Sequence, residues 1–130
     1  MKIQTESWGA KAQVYLKFDG GINELSTSMS KGLLITQWSF DNDSDPPYER
    51  FAMFEVLGFE ITIRPSTLNE KFRHEIEIIT ENCHDEIMRG RMHNISLWFG
   101  RYISLMCDIE CMVYDEITLS NIVFSKGEVM

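Results

Sequence analysis

Three aspartates at alternate positions are the first set of side chains in this sequence that could bind a cation. Asp41, Asp43 and Asp45 lie in the segment SFDNDSDPPYERF, residues 39–51. EF-hand loops share this D-x-D-x-D spacing, with a glycine at position six and a bidentate glutamate at position twelve. Here those two positions hold Pro46 and Ala52. Because neither residue can fill its role, we predict no specific metal site in this segment.

The cysteines offer a second candidate metal site. Cys107 and Cys111 have the spacing of two ligands on one helical face, and Cys83 with His84 would have to complete the set from another helix. The chain contains no C-x-x-C pair. We therefore interpret the three cysteines as reduced, mostly buried thiols that pack as small apolar residues in a cytosolic protein.

Catalysis by a histidine would need an orienting carboxylate and a nucleophile within reach. His74 and His84 each have an acidic neighbour in sequence, but adjacent helical residues do not face each other. His74 lies off the apolar face of its predicted helix, so we expect it to be exposed. The chain contains no G-x-S-x-G, H-E-x-x-H or glycine-rich phosphate loop. We predict no catalytic residues and no cofactor. The alternative is a small-molecule or metal-dependent enzyme with a cleft lined by His74, Cys83 or His84.

The negative charge of the chain is concentrated in one window. The net charge is −8, and residues 41–60 contain six acidic residues against Arg50 alone, a net of −5. An acidic surface disfavours nucleic acid and anionic membranes, and it favours basic proteins. Tyr48 adds an aromatic side chain to this window, as protein interfaces often do. We predict partner binding by Asp41, Asp43, Asp45, Tyr48 and Glu49, with an ordinary solvated loop as the alternative.

Hydrophobic periodicity predicts an α+β fold in a single domain, residues 1–130. Alternating patterns predict strands at 2–6, 12–18, 33–40, 50–56, 59–64 and 111–124, with a turn at Asp115-Glu116 in the last segment. Residues 22–30 fit either a short helix or a loop. The predicted architecture is a mostly antiparallel sheet with two principal helices packed on one face.

The first principal helix is predicted at about 67–89 and the second at about 94–107. Apolar residues recur every three or four positions in the first, and Thr67 with Glu70 matches a capping box. The HEIEI motif within it also fits a strand, but the longer period and the caps favour a helix. Asn94 is the expected N-cap of the second. No signal peptide and no membrane-spanning segment is expected, which predicts a cytoplasmic protein.

Two segments resemble a known family. GFEITIR (58–64) and the later LWFGRYI (97–103) are similar to the strand and aromatic helix of Suppressor-of-fused-type domains. The whole chain is similar in kind to immunity proteins of bacterial toxin systems, such as those of contact-dependent growth inhibition. This resemblance implies a non-catalytic protein, a monomer or weak homodimer, that binds a basic toxin domain such as a nuclease and occludes its active site. The alternative is a subunit of a larger assembly, held by the helix at 93–106.

Overall fold

The computed structural model of the protein describes residues 9–35, 37–46, 48–81 and 90–125, which form a sheet and two helices. In chain order, the elements are β1 (Ala10–Leu16), α1 (Ile22–Leu33), β2 (Ser39–Asn42), β3 (Arg50–Val56), β4 (Phe59–Pro65), β5 (His74–Thr80), β6 (His93–Asn94), α2 (Ser96–Met106), β7 (Cys111–Asp115) and β8 (Ser120–Phe124).

The strands of the described residues form one sheet with the order β2-β3-β4-β5-β1-β7-β8. Each neighbouring pair along this order is antiparallel, and the short β6 pairs in parallel with the start of β1. The prediction of an α+β fold with a mostly antiparallel sheet is confirmed. β2 and β8 lie at the two ends of the sheet.

Both helices pack on the same face of the sheet. Strand alternation places Val14, Leu16, Ile63 and Ile76 on that face, since Val14 pairs with Ile76 and Ile76 with Ile63. These residues form a common core cluster with the helix residues Leu25, Met29, Phe99 and Ile103. The predicted packing of two helices on one face is therefore confirmed, although one of the two helices is a different segment from the one predicted.

The predicted helix at 67–89 is wrong for the part that the structure describes. Residues 74–80 form β5, which pairs with β1 on one side and β4 on the other. Its inward side chains, His74, Ile76 and Ile78, alternate with Glu75 and Glu77 at the period of a strand. Two full ladders of backbone hydrogen bonds outweigh the local helical pattern. Residues 82–89 of the predicted helix lie outside the described residues.

The remaining predicted helices and strands agree with the structure to different degrees. Residues 22–33 are helical, which resolves the choice between helix and loop. The predicted strand at 33–40 is mostly wrong, because α1 runs to Leu33 and Leu34 ends it in a left-handed conformation. The predicted helix at 94–107 is confirmed as α2, but its N-cap is Ile95 and not Asn94, whose side chain accepts a hydrogen bond from the Ser96 N–H. The predicted strand at 2–6 lies outside the described residues.

The strands at 12–18, 50–56 and 59–64 are confirmed with shifts of a few residues. The segment 111–124 forms the predicted pair of strands, β7 and β8, joined by a turn that begins after Asp115. In the described ranges, the helices are too short or too polar to cross a membrane.

Candidate functional site

The acidic segment forms the tip of the β2–β3 hairpin at one edge of the sheet. Asn42 pairs with Arg50 at the end of the ladder, and the Asp43 N–H donates to the Glu49 carbonyl at 2.9 Å beyond it. The Tyr48 N–H donates to the Asp45 carbonyl at 2.9 Å, which closes a turn inside the tip. These bonds connect the described backbone of the tip on either side of its turn. We call residues 41–49 the acidic tip.

The carboxylates of the acidic tip differ in their surroundings. Asp41 and Asp45 are exposed, whereas Asp43 and Glu49 are partly covered. The Asp43 carboxylate lies 4.0 Å from the guanidinium of Arg64, an ion pair that is itself largely open to water. Within the described ranges, this is the only ion pair that the tip makes, so three of its four carboxylates keep their charge available to a partner.

Tyr48 occupies a backbone conformation that is uncommon for an aromatic residue. Its φ is 56°, in the left-handed region that a bulky side chain rarely adopts, and its side chain is 58% exposed. The Asn42 side chain donates to the Tyr48 carbonyl at 3.2 Å and supports this conformation. An exposed aromatic ring held on a strained backbone is more often found at binding sites than in ordinary solvated turns.

Arg50 anchors the base of the acidic tip to the rest of the protein. Its guanidinium lies over the Phe40 ring, 4.8 Å from the ring centre, and its Nε donates to the Asn23 side chain of α1 at 3.0 Å. Among the described residues, Arg50 forms no ion pair with a carboxylate of the acidic tip. The hairpin is thus fixed against α1 while the tip remains strongly negative.

A groove between α1 and β2 adjoins the acidic tip. It has a volume of about 600 Å³, and its lining includes hydroxyl, amide and aromatic side chains, among them Thr27, Ser30, Gln37, Trp38 and Phe40. The Trp38 indole donates to Ser30 at 3.1 Å, and its ring lies against Phe54. Sequence reasoning missed this groove because residues 22–30 were left undecided.

The described cysteines lie in the core. Cys107 follows the end of α2 and Cys111 begins β7, so they do not share a helical face. Both are buried free thiols, which confirms their interpretation as small apolar residues. Burial raises the pKa of Cys107 to about 11, and burial together with Cys107 and Glu110 raises the pKa of Cys111 further. Cys83 and His84 lie outside the described residues.

The expectation that His74 is exposed is wrong. Its side chain is buried, and its ring lies edge to face against the Phe18 ring, with the ring centres 6.1 Å apart. A strand turns every second residue inward, so His74 shares the core-facing side of β5 with Ile76. Its Nδ1 is buried without a hydrogen-bond partner. Burial lowers the pKa of His74, and the charge of Arg73 lowers it further. His74 therefore packs as a core residue with an unpartnered Nδ1.

The aromatic face of α2 is exposed where sequence reasoning expected a contact for assembly. Trp98 is 63% exposed and stacks on Tyr102 with the ring centres 5.4 Å apart, whereas Phe99 points into the core.

The described residues contain no cluster of three or more histidine, cysteine or acidic side chains that could hold a metal ion. His74 also does not line the groove or the cavity of about 250 Å³ beside β1.

The acidic tip, its strained tyrosine and the adjoining groove are therefore the best-formed candidate site in the described part of the chain. They bring the five predicted contact residues onto one hairpin, Asp41 in β2 and the other four in the loop that follows. No family model, curated protein or solved structure matches this chain.

Proposed function

We propose that the protein is a non-catalytic binding protein, an immunity protein that neutralises a basic toxin domain by contact through the acidic tip. The observation that carries this proposal is a hydrogen-bonded hairpin tip whose Asp41 and Asp45 are exposed beside a strained, exposed Tyr48. Preorganised carboxylates accelerate the encounter with a basic partner, and the tyrosine ring supplies contact area at a low cost in conformational entropy.

The groove supports the same proposal. Because the groove between α1 and β2 adjoins the acidic tip, it can receive the side chains of an extended segment of the partner that also reaches the tip. Lysines and arginines at the end of such a segment would meet Asp41, Asp45 and Glu49. A nuclease uses the same cations to bind phosphates, so occupation by carboxylates would occlude its active site.

The test is a binding measurement with the product of the neighbouring gene as the candidate toxin. We expect replacement of Asp41, Asp43 and Asp45 by asparagine to weaken binding at least about tenfold, since single close charge pairs in such interfaces couple by roughly 1.5–7 kcal/mol. Added salt should slow association with the wild-type protein much more than with the variant.

The matched control replaces Asp19 by asparagine and Glu70 and Glu77 by glutamine, which removes the same number of negative charges from exposed positions outside the β2–β3 hairpin. If the two triple variants weaken binding equally, only the net charge matters, and the acidic tip is not the contact. If neither the substitutions nor salt affects binding, or if the protein gives no protection against the toxin in growing cells, the proposed function is refuted.

A further inference from the structure

The two edges of the sheet are protected very differently. The β2 edge carries Asp41 and is followed at once by the acidic tip with Pro46, and charges and prolines are the usual guards against edge-to-edge pairing. β8 itself carries neither a charge nor a proline, and the nearest charged residues are Glu116 before it and Lys126 after it. Residues 117–125, ITLSNIVFS, contain no charged residue and no proline. Among the described residues, β8 pairs only with β7.

Exposed apolar side chains cluster around this uncharged edge strand. Four belong to the β7–β8 hairpin and one to the first turn of α2, and together we call them the hairpin patch: Leu97, Tyr114, Ile117, Leu119 and Val123. Leu97, Tyr114 and Ile117 line one shared cavity of about 180 Å³. Ile117 and Leu119 are 90% and 73% exposed, in a turn where polar residues are usual.

The turn of this hairpin is built so that its apolar residues stay outside. The Asp115 carboxylate is buried, and it accepts hydrogen bonds from the Ile117 N–H and the Thr118 hydroxyl, both at 3.0 Å. Leu119 is held at a φ of 54°, which is unfavourable for leucine. The Asp115 carboxylate is thus satisfied within the turn, and the exposed Glu116 is the charged side chain at the margin of the hairpin patch.

We propose that β8 pairs antiparallel with β8 of a second copy of the chain, so that two sheets join into one across a two-fold axis. An antiparallel edge strand is complementary to itself under such an axis, because the same residues face each other on both sides. β8 itself is uncharged, and the neighbouring α2 carries Arg101 as its single charged residue. Depletion of charge is typical of the centre of a protein interface.

The distribution of charge also favours a second copy as the occupant. Each chain carries −8, but residues 41–60, with a net of −5, lie at the β2 end of the sheet. Pairing through β8 places the two acidic tips at opposite ends of the joined sheet, where their repulsion is screened by distance and salt. Both acidic tips remain open to a partner.

The exposed apolar surface supplies part of the area that a stable contact needs. Five side chains exposed by 36–90% present on the order of 500 Å² per copy, and the strand backbone with its polar side chains can supply the remainder of the roughly 800 Å² that each partner buries in a standard interface. Since area alone does not set affinity, the concentration at which the dimer forms has to be measured.

The test measures the mass of the full chain in solution by light scattering and sedimentation, from roughly 2 to roughly 200 µM. We expect the mass to rise from 15.2 kDa toward twice that value. Val123→Lys places a charge on the edge strand and should raise the dimer dissociation constant at least about tenfold. Far-ultraviolet circular dichroism and thermal unfolding of the variant show whether its fold is kept, and Leu119→Asn provides a second variant outside the strand that should act in the same direction.

Trp98→Ala is the control, because Trp98 is a large exposed apolar residue on α2 outside the hairpin patch, and its loss should leave the dimer unchanged. Amide hydrogen exchange should slow in residues 120–124 as the concentration rises. A mass of 15.2 kDa throughout the series would overturn the proposal. So would a dimer that dissociates in Trp98→Ala but not in Val123→Lys, since the interface would then be the outer face of α2, and so would unchanged exchange in residues 120–124.

Discussion

Acidification should destabilise this protein through His74. The folded state keeps the imidazole neutral, because its pKa is lowered by burial and by the charge of Arg73, and its buried Nδ1 has no hydrogen-bond partner. In the unfolded chain the same group titrates near its ordinary value of 6.5. Below that pH, His74 binds a proton in the unfolded state but not in the folded state. The free energy of unfolding therefore falls as the pH falls. Above it, both states are neutral and His74 has no effect.

The size of this effect is set by the protonation of the unfolded state. A histidine that is half-protonated at pH 6.5 when unfolded, and stays neutral when folded, costs at most about 1.4 kcal/mol at pH 5.5. For a chain of this length, such a loss lowers the melting temperature by roughly 4–8 °C. The loss is smaller if the folded imidazole begins to titrate before pH 5.5 is reached.

The assay is urea unfolding of the wild-type protein and the His74→Leu variant at pH 7.5 and pH 5.5. Leucine retains the apolar contact with Phe18 and removes both the unpaired nitrogen and the titration, so the stability at pH 7.5 should stay within about 1 kcal/mol of the wild type. The loss between the two pH values should be smaller in the variant by up to about 1.4 kcal/mol. Carboxylates that titrate in this range affect both proteins alike, and the comparison removes their contribution.

His93 provides the matched control, because it lies in β6 with an exposed side chain. His93→Leu should keep the full pH dependence of the wild type. The reasoning fails if His74→Leu loses as much stability as the wild type between pH 7.5 and pH 5.5. It also fails if the imidazole of His74, followed by NMR, titrates at or above 6.5 in the folded protein.

Two further predictions concern the turn of the β3–β4 hairpin and the buried thiols. Leu57 and Gly58 form a two-residue turn with φ of 51° and 80°, a conformation that favours asparagine over leucine at its first position, so Leu57→Asn should stabilise the protein by about 0.5–1 kcal/mol in thermal unfolding. An unchanged or lower melting temperature would contradict this assignment of strain. Cys107 and Cys111 should resist maleimide at pH 7.5 in the native state and react only in denaturant, as checked by peptide mapping. Rapid labelling of either thiol in the native protein would show that the core there is open.

The helix predicted at 67–89 shows where sequence reasoning reaches its limit. Phe72, Ile76 and Ile79 satisfy a helical period, while His74, Ile76 and Ile78 satisfy the period of a strand, and the local capping signals favoured the first. The choice is made by pairing with β1 and β4, strands that are distant in sequence from one another. Such ladders form only when the whole sheet assembles, so local sequence patterns do not predict them.

The candidate site was predictable to a similar extent. The density of carboxylates in residues 41–49 is a property of composition, and the sequence displays it directly. The conformation of Tyr48 and the groove beside Trp38 depend on the closure of the hairpin and on α1 packing next to β2. Both are tertiary features. They determine whether the carboxylates belong to a binding surface or to a solvated loop.

The two sheet edges differ in charge, and this difference helps to distinguish a binding surface from a solvated loop. A single charge in β2, Asp41, is sufficient to discourage pairing along this edge. Asp43, Asp45 and Glu49 lie beyond the last ladder pair, where no edge needs protection, and Tyr48 adds an exposed ring at a cost in backbone strain. A requirement for solubility alone does not explain why β8, the other edge strand, carries no charge.

The proposed contacts at the two edges should respond to added salt in opposite directions. Screening should weaken a contact through the acidic tip and strengthen self-association through β8 by reducing repulsion between like-charged chains, so one salt series distinguishes the two surfaces.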